Sequence, residues 1–147
     1  MKTWVFNPHV GGVKISRAKQ SEIRHRIEVH AASHYAGRYI RLEIRFRGAL
    51  CYIDAFTEPE PPSPSLLKAT GETKEQFVER LRSVPTHLGR LRYFGGDRWS
   101  DSFYACSNER YEPTIFPTGD WFGTPEEAFD IGATYLRSDQ SGLVNYP

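Results

Sequence analysis

Apolar and polar residues alternate most regularly between residues 39 and 56. In the first part of this segment, arginines and a glutamate separate four apolar side chains, at Ile40, Leu42, Ile44 and Phe46. A two-residue period is typical of a β-strand with one buried face. The second part, which follows Gly48, is also rich in residues that favour strands. The segment therefore predicts a β-hairpin.

The register of this hairpin depends on the position of its turn. A two-residue turn at Arg47-Gly48 places apolar or small side chains on one face of both strands. The facing pairs on that side are Phe46 with Ala49, Ile44 with Cys51, Leu42 with Ile53, and Ile40 with Ala55. The facing pairs on the other side are Arg45 with Leu50, Glu43 with Tyr52, and Arg41 with Asp54. We expect the first side to be buried and the second to face solvent.

Three other segments of the chain have patterns that are typical of helices. Residues 17–35 have apolar side chains four positions apart and end before Gly37, a residue suited to a left-handed C-terminal cap. Two capping boxes, each a threonine followed three residues later by Gln or Glu, mark further helix starts. One begins at Thr73 and predicts a helix over residues 73–84. The other begins at Thr124 and predicts a helix over residues 125–137.

Strand periodicity returns between residues 90 and 105. A five-residue loop over residues 94–98 places one set of side chains on a common face, namely Leu91, Tyr93, Trp99, Phe103 and also Asp101. A four-residue loop that pairs Arg92 with Asp101 is the alternative. Residues 111–116 predict an edge strand, because Pro113 cannot donate a ladder hydrogen bond.

These elements predict a single α+β domain that spans residues 1–147. Its antiparallel sheet has about five strands, formed by two hairpins plus an edge strand, and its three helices pack mainly on one face. Residues 57–70 contain four prolines and predict a Pro-rich surface connection within the domain. A further short strand is predicted over residues 3–6.

Composition narrows the class of protein. With 39% hydrophobic and 14% aromatic residues, the chain can form a core, which excludes a disordered protein. No run of 18 uncharged apolar residues and no signal peptide are present, so we expect a cytoplasmic protein without a membrane partner. Cys51 and Cys106 are then reduced thiols. Residues 1–50 contain ten basic and three acidic residues, whereas the rest of the chain is acidic on balance.

Local motifs of catalysis and cofactor binding are missing from the sequence. It has no GxSxG, Walker or GxGxxG pattern, and we assign no catalytic residue and no cofactor. His30 and His34 share one helix side and could ligate a metal. They border the apolar stripe of their helix, however, and a half-buried pair bonded to a backbone group or a tyrosine explains them better. The prediction is therefore no metal site.

One candidate binding surface spans both hairpins. If they join one sheet, four arginines and two tyrosines project from the face opposite the helices: Arg41, Arg45, Tyr52, Arg90, Arg92 and Tyr104. Arginines among tyrosines can neutralise phosphates and stack on unpaired bases. Glu43 and Asp54 lie on the same face, and a solvated face with cross-strand charge pairs is the interpretation that the sequence favours over nucleic acid. A protein partner or a second copy of the chain is a third interpretation.

A second candidate site lies at the tip of the second hairpin. It combines side chains able to bind or transfer protons with an indole, namely His87, Asp97, Arg98, Trp99 and Asp101. Such a loop could be the polar site of a small enzyme. Turn geometry and an Asx turn explain most of the same residues without any activity.

Several long strings resemble a family of small bacterial proteins of unknown function. They include HYAGRY, RLEIRFRGALCYIDAFTEPE, LRYFGGDRWSDSFYACSNERYEP and FGTPEEAFDIGATYL. The resemblance implies a bacterial cytoplasmic protein and supplies no activity or ligand. The sequence favours a non-enzymatic binding or interaction module. Single-stranded nucleic-acid binding on the sheet face and a small enzyme at residues 94–101 are the alternatives.

Overall fold

The computed structural model describes residues 10–136, which form four α-helices and one five-stranded antiparallel sheet. The helices are α1 (Arg17–His34), α2 (Pro64–Thr70), α3 (Lys74–Arg82) and α4 (Pro125–Gly132), which a 3₁₀ turn (Ala133–Tyr135) follows. The strands are β1 (Arg41–Arg47), β2 (Leu50–Phe56), β3 (Thr86–Tyr93), β4 (Trp99–Ala105) and β5 (Arg110–Thr114). Their order in the sheet is the order in the chain. The predicted α+β architecture is confirmed, with one helix more than expected.

The helices α1 and α4 cover one side of the sheet, which we call the inner face, and the opposite side is the outer face. The core between them is apolar and includes Ile23, Ile27 and Ala31 of α1, Phe129 of α4, and Ile44, Ile53 and Leu91 of the sheet. It contains no residue of α2 or α3, so these two helices lie beside the core. None of the described helices combines the length and the apolar character needed to cross a membrane.

The first hairpin has the predicted faces but a different register. Its turn lies at Gly48-Ala49, so Arg47 faces Leu50 and Phe46 faces Cys51. Gly48 has φ 59°, and it is the first central residue of the turn. A two-residue turn with glycine in that position is typical of type II′, whereas the predicted turn required a positive φ at an arginine. The register is shifted by two residues, which leaves the side chains of both strands on their predicted faces. The burial predicted for Ile40 is wrong, because this residue precedes β1 and is 51% exposed.

The second hairpin has the predicted five-residue loop. Tyr93 faces Trp99 and Leu91 faces Asp101, which excludes the four-residue alternative. Asp101 consequently lies on the inner face with 1% of its surface exposed. The edge strand is confirmed as β5, which pairs with β4.

The Pro-rich connection contains a helix that the sequence analysis missed. The side chain of Ser63 accepts a hydrogen bond from the backbone N–H of Leu66 at 3.2 Å and caps α2. Pro64 occupies the first turn, where a missing N–H costs nothing, and Gly71 closes the helix at φ 72°. The prediction of an uninterrupted extended connection over residues 57–70 is therefore wrong.

The other helices differ from prediction mainly in length. The helix predicted over residues 125–137 ends at Gly132 and continues only as the 3₁₀ turn to Tyr135. Both capping boxes are present, at Thr73 and at Thr124. The strand predicted over residues 3–6 lies outside the described residues.

At Gly132, α4 lies directly against the backbone of β3. A Cβ atom built there would overlap the backbone carbonyl of Leu88 on β3. Leu88 is an extra residue in β3, since Ile53 faces Gly89 while Asp54 faces His87. This β-bulge buries Leu88 in the core beneath α4. It also decides the side on which His87 lies.

Candidate binding site on the outer face

The centre of the outer face is a row of side chains that the strand register places next to one another. Arg45 of β1 faces Tyr52 of β2, Tyr52 faces Arg90 of β3, and Arg90 faces Ser102 of β4. The residues beside this row, such as Ile44 and Ile53, belong to the core, because successive strand residues point to opposite faces. The row therefore turns away from α1 and α4.

A buried carboxylate lies beside this row. Asp54 is 3% exposed, and both of its oxygens accept hydrogen bonds. Oδ1 lies 2.7 Å from Nδ1 of His87, and Oδ2 lies 3.0 Å from Nη2 of Arg45. A carboxylate oxygen only accepts, so Nδ1 of His87 carries the shared hydrogen. Asp54 thus holds an imidazole and a guanidinium side by side.

The sequence analysis expected Asp54 to be solvated and to face Arg41, and this prediction is wrong. The observed register places Glu43 opposite Asp54 on β1, and the bulge places His87 opposite it on β3.

Four aromatic rings form a cluster that begins at His87, beside this carboxylate. The rings of His87 and Tyr104 are 4.5 Å apart between centroids, and those of Tyr104 and Tyr111 are 5.3 Å apart. Tyr52 joins the group through Tyr111, at 5.8 Å. Burial raises the pKa of Tyr111 to about 12, and the negative charge of Asp54 contributes to the shift. The tyrosine therefore keeps its proton at neutral pH.

Arginines border the aromatic rings. The guanidinium of Arg90 lies 5.1 Å from the centroid of Tyr111, and that of Arg45 lies at the same distance from Tyr52. These distances are within the range of cation–π attraction. Arg41 covers Phe56 at the rim of the face, at 3.8 Å. Arg92 donates to the carbonyl of Gly11 at 2.9 Å, at the other end of the sheet.

The predicted surface is therefore assembled in part. Arg45, Tyr52 and Arg90 lie in the central row, and Tyr104 contacts His87 next to it. Arg41 and Arg92 lie on the same face but farther from the carboxylate. The structure adds His87 and Tyr111, which the prediction left out of this surface, and it buries Asp54, which was predicted on this face as a solvated acid. Tyr111 was identifiable, because it begins a predicted strand that pairs next to Tyr104.

The residues of the predicted hairpin-tip site do not form one cluster, although Asp97 lies close enough to Trp99 for the indole to contribute to its lowered pKa. Asp97 accepts two hydrogen bonds from Arg26 of α1, at 2.8 and 3.1 Å. The same guanidinium donates to Glu126 of α4 at 2.7 and 2.9 Å, so it ties both helices to the hairpin. Hydrogen bonding to Arg26 lowers the pKa values of Asp97 and Glu126. Asp97 therefore has a structural role, which is to join the loop of the second hairpin to α1 through Arg26.

The other members of that predicted site have separate surroundings. Trp99 is fully buried, Arg98 lies 3.9 Å above the ring of Phe122, and His87 is on the outer face. Asp101 is buried on the inner face, and its Oδ1 has no hydrogen-bond partner. Burial raises the pKa of Asp101 well above its usual value. No polar site joins these four residues.

His30 of the candidate metal pair is bonded to a carboxylate, and the two cysteines differ in exposure. His30 Nε2 lies 2.7 Å from Asp130, and Tyr35 donates to the same carboxylate at 2.6 Å. Within residues 10–136, no three His, Cys, Asp or Glu side chains lie close enough together to hold a metal ion. Cys51 is buried in the core, which raises the pKa of its thiol to about 12. Cys106 is an exposed free thiol.

No family model, curated protein or solved structure matches this chain. The bacterial family resemblance therefore stays a prediction. Any functional argument depends on the outer face itself, where the polar and aromatic groups converge.

Proposed function

We propose that this protein binds single-stranded nucleic acid on the outer face of its sheet. Arginines would contact phosphates, and the rings around Asp54 would contact bases. A single observation carries the proposal, which is that one sheet face combines Arg45 and Arg90 with four clustered aromatic rings. Sheet surfaces of this composition bind unpaired nucleotides through stacking and charge, with little dependence on base sequence.

The acidic residues of this face do not oppose an anionic ligand as the sequence suggested. Asp54 is buried and bonded to Arg45 and His87, so its charge is compensated beneath the surface. Glu43 lies 3.4 Å from Arg45 and 3.8 Å from Arg41. Arg47 and Arg90 have no acidic partner among the described residues. The balance on strands β1 to β3 is five arginines against these two acids, which favours phosphate binding.

Fluorescence anisotropy with labelled single-stranded RNA and DNA of about 12 nucleotides tests the proposal. We expect affinity for both to fall steeply as salt rises, because phosphate binding releases counterions. The substitution Arg90→Ala should reduce the salt slope by about one. The substitution Tyr104→Ala should weaken binding by about 1–3 kcal/mol at every salt concentration, because it removes a stacking surface.

Arg80→Ala is the matched control. Arg80 is an exposed arginine of α3 whose charged and aromatic partners, Glu72 and Phe77, do not belong to the outer-face cluster. Its removal should change affinity by less than twofold. Absence of binding at low salt, or equal losses in the Arg80 and Arg90 variants, would contradict the proposal.

A further inference from the structure

We propose that the outer face also cleaves the RNA that it binds, with His87 as the base that activates a ribose 2′-hydroxyl. This inference depends on the proposed function, since the same face must first hold the strand. It adds a reaction and restricts the substrate to RNA, because DNA has no 2′-hydroxyl.

The position of His87 suits a general base. Its Nδ1 donates to Oδ1 of Asp54 at 2.7 Å, so the second ring nitrogen, Nε2, is the acceptor of the neutral imidazole. No other hydrogen bond of the His87 side chain is present within the described residues. About a third of its side chain is exposed, compared with 4% for Asp54. A buried carboxylate thus orients an accessible imidazole, the arrangement that general-base sites use.

The same carboxylate places a cation beside this base. Oδ2 of Asp54 accepts from Arg45, so the guanidinium and the imidazole are held by the two oxygens of one rigid group. Arg90 lies three residues from His87 on the same strand and faces Tyr52. Arg90 and His87 both lie near the ring of Tyr111. The guanidinium groups of Arg45 and Arg90 can stabilise the extra negative charge that develops on a phosphate held at this face during attack.

The reaction balances with the substrate and water. His87 Nε2 takes the proton of the 2′-hydroxyl as the 2′-oxygen forms a bond to the adjacent phosphorus. The bond from phosphorus to the 5′-oxygen breaks, and this leaving oxygen takes a proton from water at the open face. The products are a 2′,3′-cyclic phosphate and a 5′-hydroxyl end. The imidazolium then returns its proton to solvent. Asp54 acts as a positioning residue, because the side-chain hydrogen bonds that it makes within residues 10–136 go to His87 and Arg45.

The experiment uses the full chain with 5′-labelled single-stranded RNA and the matched DNA, in the presence of EDTA. We expect cleavage of RNA alone, with cyclic phosphate ends. The substitution His87→Gln should lower the rate by about 100-fold or more. His25→Gln, which changes an exposed histidine of α1, is the control and should cleave at the wild-type rate. Asp54→Asn should slow cleavage about tenfold or more while RNA affinity changes by less than about threefold.

The outcomes separate the two proposals. RNA that binds but stays intact overturns the cleavage inference and leaves the proposed function standing. RNA that neither binds nor is cleaved overturns both. Equal rates for wild type and His87→Gln overturn the role of His87 and with it the cleavage inference. Cleavage of DNA at the same rate as RNA overturns the 2′-hydroxyl mechanism.

Discussion

The sheet buries one aspartate on each face, and the two carboxyl groups have opposite surroundings. Asp54 on the outer face is 3% exposed, and each of its oxygens has a partner, His87 or Arg45. Asp101 on the inner face is 1% exposed, and its Oδ1 has none. Burial raises the pKa of Asp101 well above its usual value, against the effect of a hydrogen bond from the Ser102 backbone.

The difference follows from what covers each face. A partner of a buried carboxylate must itself keep contact with water or with another charge. On the outer face, Arg45 and His87 reach Asp54 from the surface and remain partly exposed. On the inner face, α1 and α4 supply only apolar side chains to the core. A buried acid therefore indicates a binding site only where polar side chains contact it. By this criterion Asp54 belongs to a candidate binding site and Asp101 does not.

The largest effect on stability is expected from a substitution that disturbs the packing of α4 on the inner face. Gly132→Ala places a Cβ atom against the Leu88 carbonyl, and backbone on both sides prevents an easy adjustment. We expect a loss of about 3 kcal/mol or more in the free energy of unfolding, measured with urea. Ser33→Ala, at an exposed position of α1, should change stability by less than about 0.5 kcal/mol. If Gly132→Ala were as stable as wild type, α4 would not be packed against the bulge.

An intermediate effect is expected from Asp54→Asn. The substitution keeps the size of the side chain but removes the charge that pairs with Arg45 and bonds His87. Because Arg45 is half exposed, water compensates for part of the loss, and we expect about 1–2 kcal/mol of destabilisation. Urea unfolding at pH 7 measures it. An unchanged stability would mean that the carboxylate only fills space.

Strand periodicity predicted most of the fold and part of the candidate site. The alternation in β1 and β2 assigned each side chain to its correct face, and an error of two residues in register left that assignment intact. It also predicted that Asp101 faces inward, where it is buried. Arg45, Tyr52 and Arg90 were placed on the outer face for the same reason. A period of two is thus sufficient for faces, but it does not fix which residues are opposite one another.

What the sequence could not predict depends on local irregularity. Strict alternation along β3 from Leu91 puts His87 on the inner face, and only the extra residue Leu88 turns it towards Asp54. Gly89 is typical of a bulge within a strand, but a glycine alone does not fix which neighbouring residue is the extra one. The helix α2 was hidden in the same way, because Pro64 in its first turn looks like part of an extended Pro-rich segment. Both errors concern single residues whose effect is set by the packing around them.

The smallest expected effect is a gain in stability, and it comes from the substitution Asp101→Asn on the inner face. The raised pKa of Asp101 means that the folded protein holds this proton more tightly than the unfolded chain. As pH rises from about 4, the unfolded state releases the proton first, and the folded state becomes relatively less stable. Asp101→Asn resembles the protonated acid and has no proton to lose. We therefore expect it to gain about 1 kcal/mol at pH 7 and nothing at pH 3.

Urea unfolding of both aspartate variants across pH 3 to 7 measures this contrast directly. In wild type and in Asp54→Asn, stability should carry a component that declines as pH rises, whereas Asp101→Asn should lack it. A gain at pH 7 from Asp101→Asn and a loss from Asp54→Asn would show that one chemical change has opposite signs on the two faces. If Asp101→Asn destabilised the protein at every pH, the carboxyl group would have a partner that its surroundings do not indicate.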